Sequence, residues 1–310
     1  MKVVITGGLG FVGSNLVARM NALGGYEAVV FDNQVLGKHA FVSDLACAFV
    51  EGDIRDRAAV DAVLEDADAV VHLAADTRVI PSIENPAFNF EVNVVGSFTV
   101  LEGMRGKGIR RLVSASTGGA IIGEANPPVH EGMPANPMSP YGASKLAVEG
   151  YASAYAASYG MNCASLRFSN VYGPRSFHKG SVVAAFMKNI LNGQPLEVYG
   201  DGSQTRDYVF VEDLCDGIVG ALTSADASGP IQLGTGIPTS ITTLIDTLRV
   251  VTGNDIPVIH HGFRAGEVLH THCRIDRARA AIGYDPTTSL ADGLASTWAW
   301  FVANRERFTD

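Results

Sequence analysis

Two groups of residues in this 310-residue chain have types and spacing suited to chemistry. The first is Tyr141 and Lys145, within Ser139-Pro140-Tyr141-Gly142-Ala143-Ser144-Lys145. Serine suits a helix N-cap and proline the first helical position, so a helix starting at Pro140 places phenol and ammonium on one face, one turn apart. An ammonium beside a phenol favours the phenolate, lowering a pKa that ordinarily lies near ~10, and makes the tyrosine a general base. The second group is Thr6-Gly7-Gly8-Leu9-Gly10-Phe11-Val12-Gly13, which satisfies both Gly8-x-Gly10-x-x-Gly13 and Gly7-x-x-Gly10-x-x-Gly13. Glycines let a pyrophosphate approach the backbone, and a helix beginning near Phe11 offers it free N–H groups and a positive dipole end. Asp32 follows Gly13 by 19 residues. A carboxylate there accepts from both ribose hydroxyls and repels a 2′-phosphate, which favours NAD over NADP. Asp53 stands where it can meet the adenine, and Ala74 and Ala75 are small enough for the backbone to touch a cofactor.

These groups need elements to hold them. Apolar runs over 2–6, 28–32, 48–51, 69–74, 111–116 and 163–168 read as strands, and runs that are apolar throughout belong to a parallel sheet covered on both faces. Helical patterns over 13–23, 57–64, 86–105 and 140–158 alternate with them, predicting a doubly wound α/β Rossmann domain. Beyond 168 glycines and prolines loosen the pattern, with helices expected at the end of 209–223 and over 241–252 and 290–304. The expected division is a dinucleotide-binding unit over 1–168 with about 207–230. An interleaved, smaller mixed α/β substrate lobe takes about 169–206 and 231–310.

Composition narrows the classes. With 47% apolar and 18% charged residues the chain is not disordered, and its size supports a core without disulfides or metal. Net charge is −9, with no basic stripe, which argues against a nucleic-acid partner. Cys47, Cys163, Cys215 and Cys273 form no CxxC pair and read as reduced thiols of a cytoplasmic protein. Glycines 7, 8, 10 and 13 interrupt the apolar start that would otherwise resemble a signal peptide, and no stretch approaches the ~18 residues of a membrane span. His260-His261 and His270-Thr271-His272-Cys273 lack an HExxH or paired CxxC context, so no metal is expected. There is no GxSxG elbow.

Taken together, Thr6–Gly13, Asp32, Asp53, His72-Leu73-Ala74-Ala75, Asn93, Tyr141-xxx-Lys145 and Arg167-Phe168-Ser169-Asn170-Val171-Tyr172-Gly173-Pro174-Arg175 resemble the extended short-chain dehydrogenase/reductase family. Gly200-Asp201-Gly202-Ser203-Gln204-Thr205-Arg206-Asp207-Tyr208 and Arg264-Ala265-Gly266-Glu267 extend the match nearly end to end. The nearest branch is that of the NAD-dependent nucleotide-sugar epimerases and dehydratases, above all the UDP-glucose 4-epimerases. The resemblance implies NAD contacts at Gly7, Gly10, Phe11, Val12, Gly13, Asp32, Asn33, Asp53, Ile54, Leu73, Ala74, Ala75, Asn93, Tyr141, Lys145 and Phe168. It implies Tyr141 as base on a sugar hydroxyl while C4 hydride passes to NAD, Lys145 on the nicotinamide ribose, and a triad hydroxyl from Thr117 or Ser116, with Thr117 favoured. It also implies Asn170, Arg206 and Arg264 as ligands of a nucleotide-diphosphate sugar, arginine matching phosphate oxygens with its fork. A homodimer through the long helices is implied as well. Two departures stand out. Ile122 occupies a position where relatives carry tyrosine, which leaves the choice of triad hydroxyl open and the sugar pocket in question. Gly118-Gly119 replace the Asp-Glu pair of water-eliminating relatives, which disfavours a dehydratase.

Overall fold

Residues 1–263 and 268–308 are described by the computed structural model. The chain begins β1 (Lys2–Thr6), α1 (Phe11–Leu23), β2 (Glu27–Asp32), β3 (Ala48–Glu51), α2 (Arg57–Val63) and β4 (Ala69–His72). It continues through α3 (Val79–Glu84), α4 (Pro86–Phe90), a π turn (Glu91–Val95), α5 (Gly96–Lys107), β5 (Arg111–Thr117), α6 (Gly118–Ile122), α7 (Pro140–Tyr159) and β6 (Asn162–Phe168). The second half comprises β7 (Asn170–Tyr172), α8 (Val182–Leu191), β8 (Leu196–Tyr199), β9 (Thr205–Phe210), α9 (Val211–Thr223) and β10 (Gly229–Leu233). After it come β11 (Pro238–Ser240), α10 (Ile241–Thr252), β12 (Val258–His261), α11 (Asp276–Ile282) and α12 (Leu290–Ala303).

Seven strands pair in parallel in the order β10-β6-β5-β4-β1-β2-β3. Val3, Val4 and Ile5 of β1 are wholly buried because helices cover both faces of the sheet. On one face α1, α9 and α11 close a core around Leu16, Met20, Leu214 and Ile218; on the other α2, α5 and α7 close a second around Leu64, Leu101, Met104 and Tyr155. This is the doubly wound architecture expected. Its seventh strand comes from 229–233, so the boundary expected near 230 falls inside it.

A third core, with Phe186, Met187, Leu244, Leu248 and Phe301, joins α8, α10 and α12 to the smaller sheets β11-β9-β7 and β12-β8. The helix expected over 86–105 runs through Pro86–Lys107 with a π turn inside it, and that turn buries Asn93 against the loop after β4. His270 and Cys273 make isolated bridges to Thr205 and Val129. All four cysteines are free thiols. Among the described residues no helix is long and apolar enough to cross a membrane.

Candidate active site

β1 ends at Thr6, and the chain turns through Gly7–Gly10 into α1. Gly7 sits at φ +69°, and a Cβ there would lie 2.6 Å from Ala74 N, so only glycine lets the turn approach the end of β4. Gly10 is the N-cap of α1 and Gly13 is buried in its first turn; no side chain caps the helix. The first amides of α1 are thus left to the cavity that Phe11 and Val12 line, and a helix N-terminus suits a pyrophosphate. Beside the turn, Asp32 Oδ2 accepts from Leu9 N at 3.2 Å and Oδ1 from Gln34 N at 2.9 Å. Burial raises the pKa of this carboxyl, and the backbone N–H groups pull it back. Asn33 donates to Asp53 at 3.1 Å, and the Arg55 guanidinium holds Asp53 down at about 2. Leu73 lines the cavity, and Ala74 N donates to Thr6 Oγ1 at 3.3 Å. A glycine cradle, a helix start uncapped by any side chain and a strand-end acid bonded to the same turn fit NAD.

Two residues expected to touch the cofactor are buried within the protein. Ile54 is 5% exposed and packs in the core against the Cα of Gly96, where even a Cβ would lie 2.5 Å from its Cδ1. Asn93 is 1% exposed: its Oδ1 accepts from Asp76 N, and its Nδ2 donates to Asp76 O and to Ser144 Oγ. Ser144 in turn donates to Tyr141 O, so Asn93 braces the start of α7. A further chain runs behind β4. Ser97 donates to Asn93 O, which leaves its oxygen to accept from His72 Nε2–H and leaves Nδ1 to accept from the Thr6 hydroxyl at 2.7 Å.

The start of α7 forms as the sequence predicts. Ser139 Oγ accepts from Gly142 N at 3.2 Å, and Pro140 is the first helical residue. Tyr141 and Lys145 both line the cavity. The adjacent hydroxyls of β5 differ in their partners: Thr117 acts on the Tyr141 phenol and favours its ionisation, whereas Ser116 donates to the buried Glu149 carboxylate at 2.6 Å. The expected lowering of the tyrosine pKa does not hold in the protein by itself. Burial pushes Tyr141 up to about 12, and the Thr117 hydrogen bond opposes this. Lys145 Nζ donates to Ala115 O at 3.0 Å, and burial brings its pKa down to about 8.

The cavity has a volume of about 640 Å³ and extends from Phe11 and Val12 past Tyr141 to Phe168, Asn170, Phe186, Tyr199, Gln204 and Arg206. Arg206 Nη1 donates to Thr205 O and Leu269 O, which aims its side chain along the wall. Arg264 lies outside the described residues. An adjoining space of about 220 Å³ shares Thr117, Phe168, Asn170 and Arg206 and reaches Gly118, Gly119 and Gln232. A Cβ on Gly118 would sit 2.5 Å from Gln232 Oε1, so Gln232 takes the room an acidic side chain would need there. Ile122 is 2% exposed in the first core, which removes this departure from the pocket. Gln232, Tyr199 and Phe186 carried no local signal, since topology brings them in from afar; Glu149 stood visibly one turn past Lys145. The histidines make local contacts, His260 with Gly200 O and His270 with Thr205. No three His, Cys, Asp or Glu side chains converge as a metal site among the described residues.

Residues 3–234 match the NAD dependent epimerase/dehydratase family. The UDP-glucose 4-epimerase of Mycolicibacterium smegmatis is 36% identical over 311 residues, covering 97% of this chain and 98% of its own length. The crystal structure of UDP-glucose 4-epimerase from Thermotoga maritima with UDP-glucose superposes with a TM-score of 0.93 at 33% identity, covering 98% of this chain and 100% of that one. The Thermus thermophilus UDP-glucose 4-epimerase in complex with NAD gives 0.89 at 35% identity, covering 97% and 99%. The glycine turn, Asp32 and the Tyr141–Lys145 helix lie within the matched span, and the chain belongs to the NAD dependent epimerase/dehydratase family, with NAD as its cofactor.

Proposed function

We propose that this protein is a nucleotide-sugar 4-epimerase that interconverts UDP-glucose and UDP-galactose through a transient 4-keto sugar. The observation that carries the reading is that Tyr141, Lys145 and Thr117 line one cavity with the start of α1 and with Arg206. Bound NAD supplies a reversible hydride acceptor for C4 of the sugar. Tyr141 takes the proton of the 4-hydroxyl, and Thr117 orients the phenol and stabilises its anion. Lys145, charged below about 8, contributes a nearby positive charge that burial leaves weakly screened. Tyr141 returns the proton once the keto sugar has presented its other face. Arg206 and Arg264 hold the diphosphate, and Asn170 the nucleotide end. Gly118 and Gly119 supply no acid or base, which supports epimerisation over loss of water.

A second copy of the chain completes the reading. Ile80 (63% exposed), Ile83, Phe90, Phe98 and Tyr151 form an apolar face along α3, α4, α5 and α7, more than a solitary soluble surface normally exposes, and this supports a homodimer. The free thiols support a reducing compartment, the cytoplasm. The deciding experiment incubates the protein with UDP-, dTDP- and GDP-sugars and separates the products. UDP-glucose and UDP-galactose should interconvert without net reduced cofactor, and Tyr141→Phe should abolish this. Stoichiometric release of reduced cofactor would identify a dehydrogenase instead.

A further inference from the structure

Behind the cavity wall three ionic side chains are buried together. Glu149 follows Lys145 by one turn on α7, so the two share a helix face. Arg167 of β6 grips Glu149 at two points, Nε to Oε1 at 2.8 Å and Nη2 to Oε2 at 2.7 Å, with side chains 5% and 7% exposed. Ser116 adds a third bond to Oε1 at 2.6 Å, while its neighbour Ala115 accepts from Lys145 Nζ. A single stretch of β5 therefore fixes the distance between carboxylate and ammonium. Two cations share one carboxylate where water is nearly absent.

We propose that Glu149 is a positioning residue that keeps Lys145 protonated, and that Arg167, by drawing on the same carboxylate, sets how strongly it does so. This rests on Lys145 being the cation of the site, and not on which sugar is turned over. Charges in a buried cluster are weakly screened, so a fixed carboxylate one turn away has a large effect on an ammonium. Burial drives Lys145 towards neutrality, and Glu149 is the group that opposes it. Other groups facing Lys145 do not replace it. In the protein by itself burial keeps Tyr141 on α7 towards the neutral phenol, and His72 on β4 is held neutral by burial. Asp76, after β4, acts on Tyr141 and is tied to Arg78 and Asn89. The β5 stretch presents a hydroxyl and a carbonyl, and Arg167 on β6 is the second cation.

The test is an NMR titration of the NAD-loaded protein carrying ε-13C lysine. The chain has only six lysines, so the Lys145 signal can be assigned by its loss in Lys145→Arg. In Glu149→Gln the affinity of Lys145 for its proton should fall about tenfold or more, the scale of losing an adjacent opposite charge. In Arg167→Gln it should rise, because the carboxylate is released to Lys145 alone. Glu149→Asp keeps the charge and should restore most of the wild-type midpoint, which secures the test if Glu149→Gln does not fold. Opposite displacements in the two variants are something a packing role does not produce. Midpoints unchanged within about twofold in proton affinity, or displaced the same way in both, overturn the proposal. Turnover of UDP-sugars is scored separately, so a failed titration and a failed epimerase reading are told apart.

Discussion

Replacing each hydroxyl at the end of β5 in turn separates chemistry from architecture. Thr117 stands beside the Tyr141 phenol and favours its ionisation, whereas Ser116 Oγ is engaged by Glu149 at 2.6 Å. A hydrogen bond to an ionised partner contributes about 1.5–3 kcal/mol. Thr117 meets such a partner only while Tyr141 is the phenolate that accepts the sugar proton, so its loss shrinks the fraction of enzyme carrying an active base. At about 1.4 kcal/mol per factor of ten, Thr117→Ala should lower kcat by about 10- to 150-fold while KM changes little. Ser116→Ala removes one of three bonds to Glu149 and leaves the Arg167 fork in place. Its cost should appear mainly as stability, about 1–2 kcal/mol. The assay is initial-rate conversion of UDP-galactose to UDP-glucose at neutral pH, with thermal unfolding measured on the same preparations. If Ser116→Ala loses as much kcat as Thr117→Ala, the assignment of the hydroxyls is refuted.

Four further outcomes are expected. Gly7→Ala adds a Cβ 2.6 Å from Ala74 N at φ +69°, which should cost about 2–4 kcal/mol from backbone strain and overlap and empty the protein of nucleotide; denaturant midpoints and the NAD content of purified protein check it. Since Lys145 is charged only below about 8, kcat should decline as pH rises through that value, and a flat profile up to about pH 10 would count against the role given to this lysine. His72 is held down at about 3 by burial, against an ordinary value near ~6.5, so the unfolded chain binds a proton that the folded one refuses. Stability should therefore fall as pH drops from about 6.5 towards 3, and His72→Gln should flatten that slope in urea titrations. Ile80→Glu with Phe90→Glu should convert the proposed dimer to monomer by sedimentation, since both side chains stand on the apolar face of α3 and α4.

The parts of the site that could be read along the chain are those whose geometry is local. A strand, a glycine turn and a helix start lie within Lys2–Leu23, and Tyr141 with Lys145 needs only one helical turn, so neither depends on distant packing. Elements that owe their existence to partners were harder. β8, β11 and β12 are three or four residues long and take their partners from far along the chain, as β12 does from β8. The continuous helix expected over 86–105 ignored the π turn, which forms where Asn93 gives up regular helix to brace Asp76 and Ser144. Spacing also suggested a tyrosine with a depressed pKa, whereas desolvation is a property of the closed cavity and raises it.

Sequence alone therefore determined the fold class, which follows from periodicity, and marked the glycine turn for a dinucleotide, while the family came from the resemblance of its motifs. It offered Thr117 or Ser116 as the triad hydroxyl, with Thr117 favoured. Adjacent strand residues point to opposite sides, and nothing in the strand itself says which side will meet α7. Only the packing of α7 against β5 and β6 decided that, turning Thr117 towards Tyr141 and Ser116 towards the buried carboxylate of Glu149.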